Sequence, residues 1–346
     1  MKTYSWWSSI FGGRKNRLPK GGAHRWVLAG VLAVTAVWPG VALPATAVDV
    51  PPTVLQGEVL PVTISSAPAT GAPMTGATVA LTLSDGSRYR APAWRAAAHG
   101  SSDRTLWVAL LGVPSTAAIG DAQVVVQFSG ADRATGEARE DQTLPVQIGE
   151  GRFRSERIAL NRDLTDLRTT DDPRRAEQSQ TLWELIHRMD IESRGHLGRF
   201  RLPVRDFRET SLFGDRREFS YADGGSARSI HNGLDLAAPT GTPVVAPGAG
   251  RVVMAEDRII TGLSVILEHL PGVYTIYYHL DSMEVSLGDT VATGSPLGTV
   301  GSTGLSTGPH LHWELRVAGV AVDPQVYLTE ALIDTAAIVR SLSQLP

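Results

Sequence analysis

Short β-branched or alternating apolar runs, each ended by glycine or proline, recur along most of this 346-residue chain. "EVLPVTI" (58–64), "ATVALTL" (77–83), "TLWVALL" (105–111) and "AQVVVQF" (122–128) lie in the first half, with Gly, Pro, Ser and Asp between them. Runs of this length at regular spacing read as strands of a sandwich. The 35 glycines and 21 prolines leave little room for long helices. The expected fold class is mainly β, with an immunoglobulin-like β-sandwich over residues 48–150. No chemistry-bearing cluster stands out in that sandwich, so a spacer or binding module is its expected role.

Residues 151–205 differ in kind, being charged and rich in arginine. Asp172-Pro173 joins an N-cap to proline at the first helical position. Leu182, Leu185, Ile186 and Met189 then fall at helical spacing. One amphipathic helix over about 173–189 is expected to connect the two halves, with His187 near its C-terminus, where positive charge is tolerated. The β pattern resumes over 206–330, and 331–346 reads as a tail.

The chain has no cysteine, which excludes disulfides and thiolate metal sites; any metal must be held by His, Asp or Glu. Its 32 basic and 35 acidic residues give a formal charge of −3, which argues against a nucleic-acid partner. At the N-terminus Lys2, Arg14, Lys15, Arg17, Lys20 and Arg25 lead into a mildly apolar run, 26–38, that Pro39-Gly40 breaks. Ala45-Thr46-Ala47 fits an A-x-A cleavage pattern, so residues 1–47 read as a signal peptide cut after Ala47. The alternative is an uncleaved membrane anchor, although Pro39 falls inside any window of about 20 residues that could span. Either reading puts the rest of the chain outside the cytoplasm, in the periplasm or cell envelope.

Three pieces of the second half carry candidate chemistry. In "HNGLD", Gly233 and the nearby Pro239 disfavour a helix. In an extended segment His231 and Asp235 share a face, with Gly233 leaving space between them. Alone, such a pair is a set of metal ligands or an ordinary hydrogen bond. In "PHLHWE", His310, His312 and Glu314 share a strand face while Leu311 turns to the core. Two imidazoles aimed at one place are hard to satisfy in a dry core. In "YTIYYHLD", alternation puts Tyr277 and His279 on one face, and His269 is expected to be structural. Together these pieces supply His231, Asp235 and His312 as three N/O ligands, a set that suits one zinc ion with its fourth position open. His279 and His310 remain beside it as proton-transfer groups.

At these residues the chain resembles the lysostaphin/LytM-type zinc endopeptidases of bacterial cell walls. That family pairs H-x-x-x-D with a later "Y-x-H-L" and a closing "G-S-T-G-x-S-T-G-P-H-L-H-[FW]-E"; this chain has "HNGLD", "YYHLD" and "GSTGLSTGPHLHWE" in that order. "SLFGDRR" and "VAVDPQVYL" look like the family's borders. The resemblance implies an antiparallel β-sheet peptidase domain over 206–330 with its site in a groove. It implies that His231, Asp235 and His312 ligate zinc and that His279 and His310 act on water and the tetrahedral intermediate. Glu314 and Tyr277 would be supporting or substrate-positioning groups at most. The implied partner is a peptidoglycan peptide, and a monomer is expected. The middle strands depart from the family's usual turns, reading "TGLSVILEHLPG", which touches groove shape and substrate choice. No wall-binding repeat is evident, so a diaminopimelate-type wall in a diderm cell is the expected target.

The strongest rival is a non-catalytic LytM-type protein that binds the wall or activates an amidase, but none of the five site residues is missing here. A lipoyl-like carrier is the other rival, suggested by "VSLGDTVATGSPLGTVGSTG". No lysine lies in this half to carry such a cofactor. The charged connector before the domain is also a candidate plug or fourth ligand for the groove.

Overall fold

A computed structural model describes residues 46–66, 74–96, 105–130, 139–191, 196 and 198–333. The leader through Ala45 and the tail from Asp334 lie outside the described residues. Among the described residues, no helix is long and apolar enough to cross a membrane.

Eight strands form the first half: β1 (Thr46–Asp49), β2 (Thr53–Leu55), β3 (Val59–Ser66), β4 (Gly76–Thr82), β5 (Arg88–Arg95), β6 (Thr105–Gly112), β7 (Gly120–Ser129) and β8 (Gln142–Gly149). They follow one hydrogen-bonded path, β1-β3-β6-β5-β4-β7-β8-β2. The first six residues of β5 pair with β4, and its last two, Trp94 and Arg95, pair with β6. The two faces therefore share a strand where two separate sheets were expected. Leu60, Val62 and Ile64 alternate inward from β3 and meet Val79, Leu81, Leu111, Val124 and Val126 in one apolar core. Thr46 and Ala47 pair with Ser66 and Ser65, so the expected cleavage point falls within β1.

The connector holds more structure than one helix: β9 (Ser155–Ala159), α1 (Arg162–Thr169) and α2 (Pro173–His187). Asn161 caps α1 and Asp172 caps α2, each side chain accepting a backbone N–H of the first turn. α2 lays Leu182, Leu185 and Ile186 on Met254, Ile266, Tyr274, Ile276 and Tyr278. His187 stacks on Trp183 at 4.3 Å.

The remaining strands are β10 (Arg208–Ser211), β11 (Arg216–Ser220), β12 (Ser226–Ile230), β13 (Gly233–Ala237), β14 (Pro243–Val245), β15 (Gly250–Arg258), β16 (Gly262–Leu270), β17 (Val273–Met283), β18 (Thr290–Val291), β19 (Pro296–Val300), β20 (Leu311–Val317) and β21 (Val320–Val322), followed by α3 (Val326–Thr329). The main sheet runs β10-β13-β20-β17-β16-β15-β18, with β14, β19 and β21 added at its margins. A small sheet, β12-β11-β9, joins the connector to this half by parallel pairing of β9 with β11.

The two halves are docked against each other. Val59, Trp94, Val108 and Leu110 share one apolar cluster with Leu270, Leu315, Val317, Val322 and Tyr327. The Tyr327 hydroxyl accepts the Val59 N–H at 2.7 Å, and the Asp323 N–H donates to the Gly57 carbonyl.

Candidate metal centre and active site

Strand register does most of the assembly. β13, β20 and β17 are neighbours, and Asp235 lies directly opposite His312, which lies directly opposite Tyr278. Opposed residues of an antiparallel pair have their side chains on one face about 5 Å apart. His231 sits in the link that enters β13; its backbone is fixed by a hydrogen bond to Asp215 and another from Gly214. The site's two ligand-type histidines therefore come from segments 81 residues apart that the sheet places side by side.

Gly233 acts differently from its expected role. A Cβ there would stand 2.3 Å from the Trp313 carbonyl oxygen, so this glycine permits close approach of β13 to β20. It does not open a space between His231 and Asp235, because the neighbouring backbone fills that position.

The expected facing of Tyr277 is also corrected. Tyr277 is opposite Trp313, on the reverse face, and its hydroxyl shares a hydrogen bond with Thr275. His279 has φ +61°, in the left-handed region, where alternation breaks. That kink turns the imidazole onto the face already occupied by Tyr278 and His312. The Tyr278 ring lies nearly parallel to His312, 10° between planes and 5.5 Å between centroids. Strain in a non-glycine residue of this kind collects at functional sites.

His231, Asp235 and His312 are all buried, and their candidate ligand atoms lie within 4.8 Å of one another. Asp235 Oδ1 is 3.1 Å from His231 Nε2 and 2.8 Å from His312 Nδ1. His310 Nε2 approaches the same oxygen at 3.6 Å. The His279 and His310 rings are 4.8 Å apart. The structure thus brings all five sequence-selected residues into one cluster.

Each imidazole has one nitrogen turned outward to an acceptor. His231 Nδ1 faces the Leu212 carbonyl at 2.8 Å, His279 Nδ1 the Thr303 carbonyl at 2.7 Å and His310 Nδ1 the Gly308 carbonyl at 2.8 Å. A carbonyl only accepts, so those nitrogens carry the proton and each Nε2 keeps its lone pair. His312 is reversed: Nε2 donates to Glu314 Oε1 at 2.9 Å and Nδ1 faces the cluster. Arg316 in turn holds Glu314. Outward partners of this kind fix the tautomer and orientation of metal-binding histidines.

The electrostatics match this arrangement. Burial alone would raise the Asp235 carboxyl, but the imidazoles beside it, above all the hydrogen bond and charge of His312, outweigh it and hold the group well below its ordinary range. Burial disfavours a charged His312, yet Asp235 and Glu314 on either side push it up to about 9. A divalent cation binding here competes with that proton for Nδ1. Burial, with the neighbouring imidazoles His310 and His312 adding to it, lowers His279 to about 3, and burial also lowers His310. Both therefore enter as neutral rings.

Several contributing groups had no assigned role in the sequence. Arg217 on β11 donates to Asp235 Oδ2 and to Glu156 of β9, and Glu156 also accepts from Ser211. The connector thus reaches the cluster through Glu156 and Arg217, and among the described residues it adds no metal ligand. "SLFGDRR" marked this place in the sequence, but nothing in it said which arginine would touch Asp235. The loop between β19 and β20 supplies the carbonyls of Thr303 and Gly308 that orient His279 and His310. His269 is structural as expected, bonded to the Ala249 carbonyl and Thr275.

The sequence profile of peptidase family M23 matches residues 229–324, a span that contains all five clustered residues. The DD-carboxypeptidase/endopeptidase Mpg of Neisseria meningitidis is 44% identical over 95 residues, 28% of this chain and 22% of that protein. The peptidoglycan DD-endopeptidase ShyA of Vibrio cholerae is 44% identical over 93 residues, 27% of this chain and 22% of that protein. The match therefore spans about a fifth of the length of these curated relatives. A solved structure of a candidate M23 peptidase from Pseudomonas aeruginosa covers 80% of this chain and 95% of its own, with a TM-score of 0.51 and 23% identity. That likeness concerns the fold.

Proposed function

We propose, from the match of residues 229–324 to peptidase family M23, that this chain is a zinc-dependent endopeptidase cutting peptide bonds in peptidoglycan. The observation that carries the reading is the convergence of His231, His312 and Asp235 on one point, with the lone pairs of His279 and His310 beside it. Two nitrogens and one carboxylate oxygen, without sulfur, fit the three-ligand sets of catalytic zinc with bonds of about 2.0–2.2 Å. Zinc in such a place supplies Lewis acidity to water and to a peptide carbonyl.

The chain's own side chains handle protons and charge. His279, neutral and oriented by Thr303, accepts a proton at Nε2 as water attacks the peptide. His310, oriented by Gly308, acts on the tetrahedral intermediate only once its bare Nε2 has taken up a proton to donate to the oxyanion, and the proton that His279 took from water passes to the leaving amine. Glu314 keeps the His312 ring in register, and Arg217 occupies the Asp235 oxygen that faces away from the histidines. A wall-binding or amidase-activating role alone gives no reason for five such groups to be assembled. The basic leader and Ala45-Thr46-Ala47 favour export to the cell envelope; recovery of the chain in the cytoplasmic fraction would overturn that part.

The decisive experiment digests purified sacculi with the full chain, with and without chelator, and identifies products by mass. The expected result is peptide cleavage that chelation abolishes and zinc restores. The DD-endopeptidase activity named for the relatives makes the D-alanyl cross-link the first bond to seek. Cleavage insensitive to chelation, or no cleavage with zinc present, sinks the reading.

A further inference from the structure

Arg258, at the end of β15, is 6% exposed and forms no ion pair among the described residues. Its Nη2 donates to the Gln178 carbonyl at 2.7 Å and its Nη1 meets the Met254 sulfur at 3.3 Å. Its buried Nε has no hydrogen-bond partner. Burying a guanidinium without an anion is costly, and buried arginines are ordinarily paired. Three other arginines beside this sheet have such a partner: Arg217 has Glu156 and Asp235, Arg251 has Glu268, and Arg316 has Glu314.

Arg258 also lines a cavity of about 550 Å³ between the start of α2 and the β15–β16 turn. Arg168 and Arg175 line it too, and neither forms an ion pair among the described residues. Arg168 stacks on Phe219 and donates to Tyr221, while Arg175 donates to the Thr170 and Arg168 carbonyls. Two carboxylates reach the rim: Asp172, which is bound to Arg174, and Asp171, which is exposed. The opposite wall is Ile260 and Thr261. The Thr261 carbonyl accepts the His279 N–H, and the Ile260 carbonyl accepts the Leu305 N–H. A ligand in this cavity therefore lies beside the backbone that presents the catalytic imidazoles.

We propose that this cavity is a subsite for a free carboxylate of the peptide substrate, with the buried Arg258 guanidinium as the group that reads it. The proposal rests on the peptidase reading for the class of ligand. Arginine suits the task because its planar fork matches a carboxylate with two parallel hydrogen bonds.

The test is equilibrium binding of an uncross-linked stem peptide to the full chain. It compares the peptide with its free α-carboxylate against the same peptide amidated at that position. The wild type should favour the acid about tenfold or more, as a charge-assisted hydrogen bond implies. Arg258→Gln should erase that preference. Gln178→Glu places a carboxylate where the Gln178 side chain already accepts the Ile259 N–H, next to Arg258 in the chain, and should erase it as well. It keeps the question decidable if Arg258→Gln does not fold. Equal binding of the two peptides to the wild type, or a preference that survives in Gln178→Glu, overturns the subsite. Hydrolysis plays no part in this readout. A chain that cuts nothing but still prefers the acid would sink the peptidase reading and leave the subsite standing.

Discussion

The two halves are built from the same kind of strand but bury different things. Among the described residues, the buried polar side chains of β1 to β8 and their turns are serines alone: Ser65, Ser66 and Ser115. The second half buries Asp215, His231, Asp235, Arg258, Glu268, His269, His279, His312 and Glu314. A buried ionisable group costs free energy unless it is paired. The first half follows that rule by excluding such groups, and the second by partnering nearly all of them. The exceptions to tight pairing, the bare Nε2 atoms of His279 and His310 and the unpartnered Nε of Arg258, are the places where a reaction or a ligand is expected.

Exchanging the two behaviours breaks the contrast, and the largest effect belongs to the cluster. His231→Ala should lose bound metal, measured by elemental analysis, and with it all hydrolysis. His310→Ala should keep the metal and lose turnover by roughly 10²–10⁴, the usual contribution of a general acid–base group. If His310→Ala also loses metal, the division of labour between the histidines is wrong. In the first half, Leu111→Ala should cost about 2–5 kcal/mol in denaturant unfolding, the range for truncating a buried leucine. Metal content of the folded fraction should not change. Glu314→Gln should weaken metal binding by about 10- to 100-fold, since it removes the carboxylate that orients His312. A competition titration against a chelating dye reads this directly.

The smallest effect lies where the halves meet. Burial raises the half-buried Asp323 to about 6 despite a hydrogen bond from the Gln325 N–H, and Glu58 and Glu209 add to the rise. A carboxyl whose pKa is higher in the folded state stabilises it while protonated. That contribution is complete below the unfolded value near 3.8 and fades as pH rises through about 6. Asp323→Asn should flatten the melting curve against pH in this window relative to the wild type. Parallel wild-type and variant profiles would remove Asp323 from the account.

Legibility in the sequence followed the physical strength of each signal. The runs that became β3, β4, β6 and β7 were readable because apolar or β-branched residues dominate them. β5, "RYRAPAWR", was not, because its arginines and proline hide a strand that joins two faces. The Asp172-Pro173 cap announced α2, whereas α1 and β9 are short and mostly polar and are held by capping and pairing contacts. The five site residues were legible as a set because histidine spacing and the glycine-rich loop are local. Tyr277 was assigned to the wrong face because strict alternation fails at His279, and a single left-handed residue leaves no mark in composition.

By itself, the sequence determined the class of strands, the residues able to bind a metal without thiolates, and the helix start at Asp172. Those properties depend on side-chain chemistry and on neighbours a few positions away. Only the tertiary structure decided which nitrogen of each histidine is bare, that Arg217 reaches Asp235, that Gly233 is a point of close approach, and that Arg258 is buried beside an open cavity. Each of these depends on contacts between segments far apart in the chain, and such contacts are set by sheet register and packing.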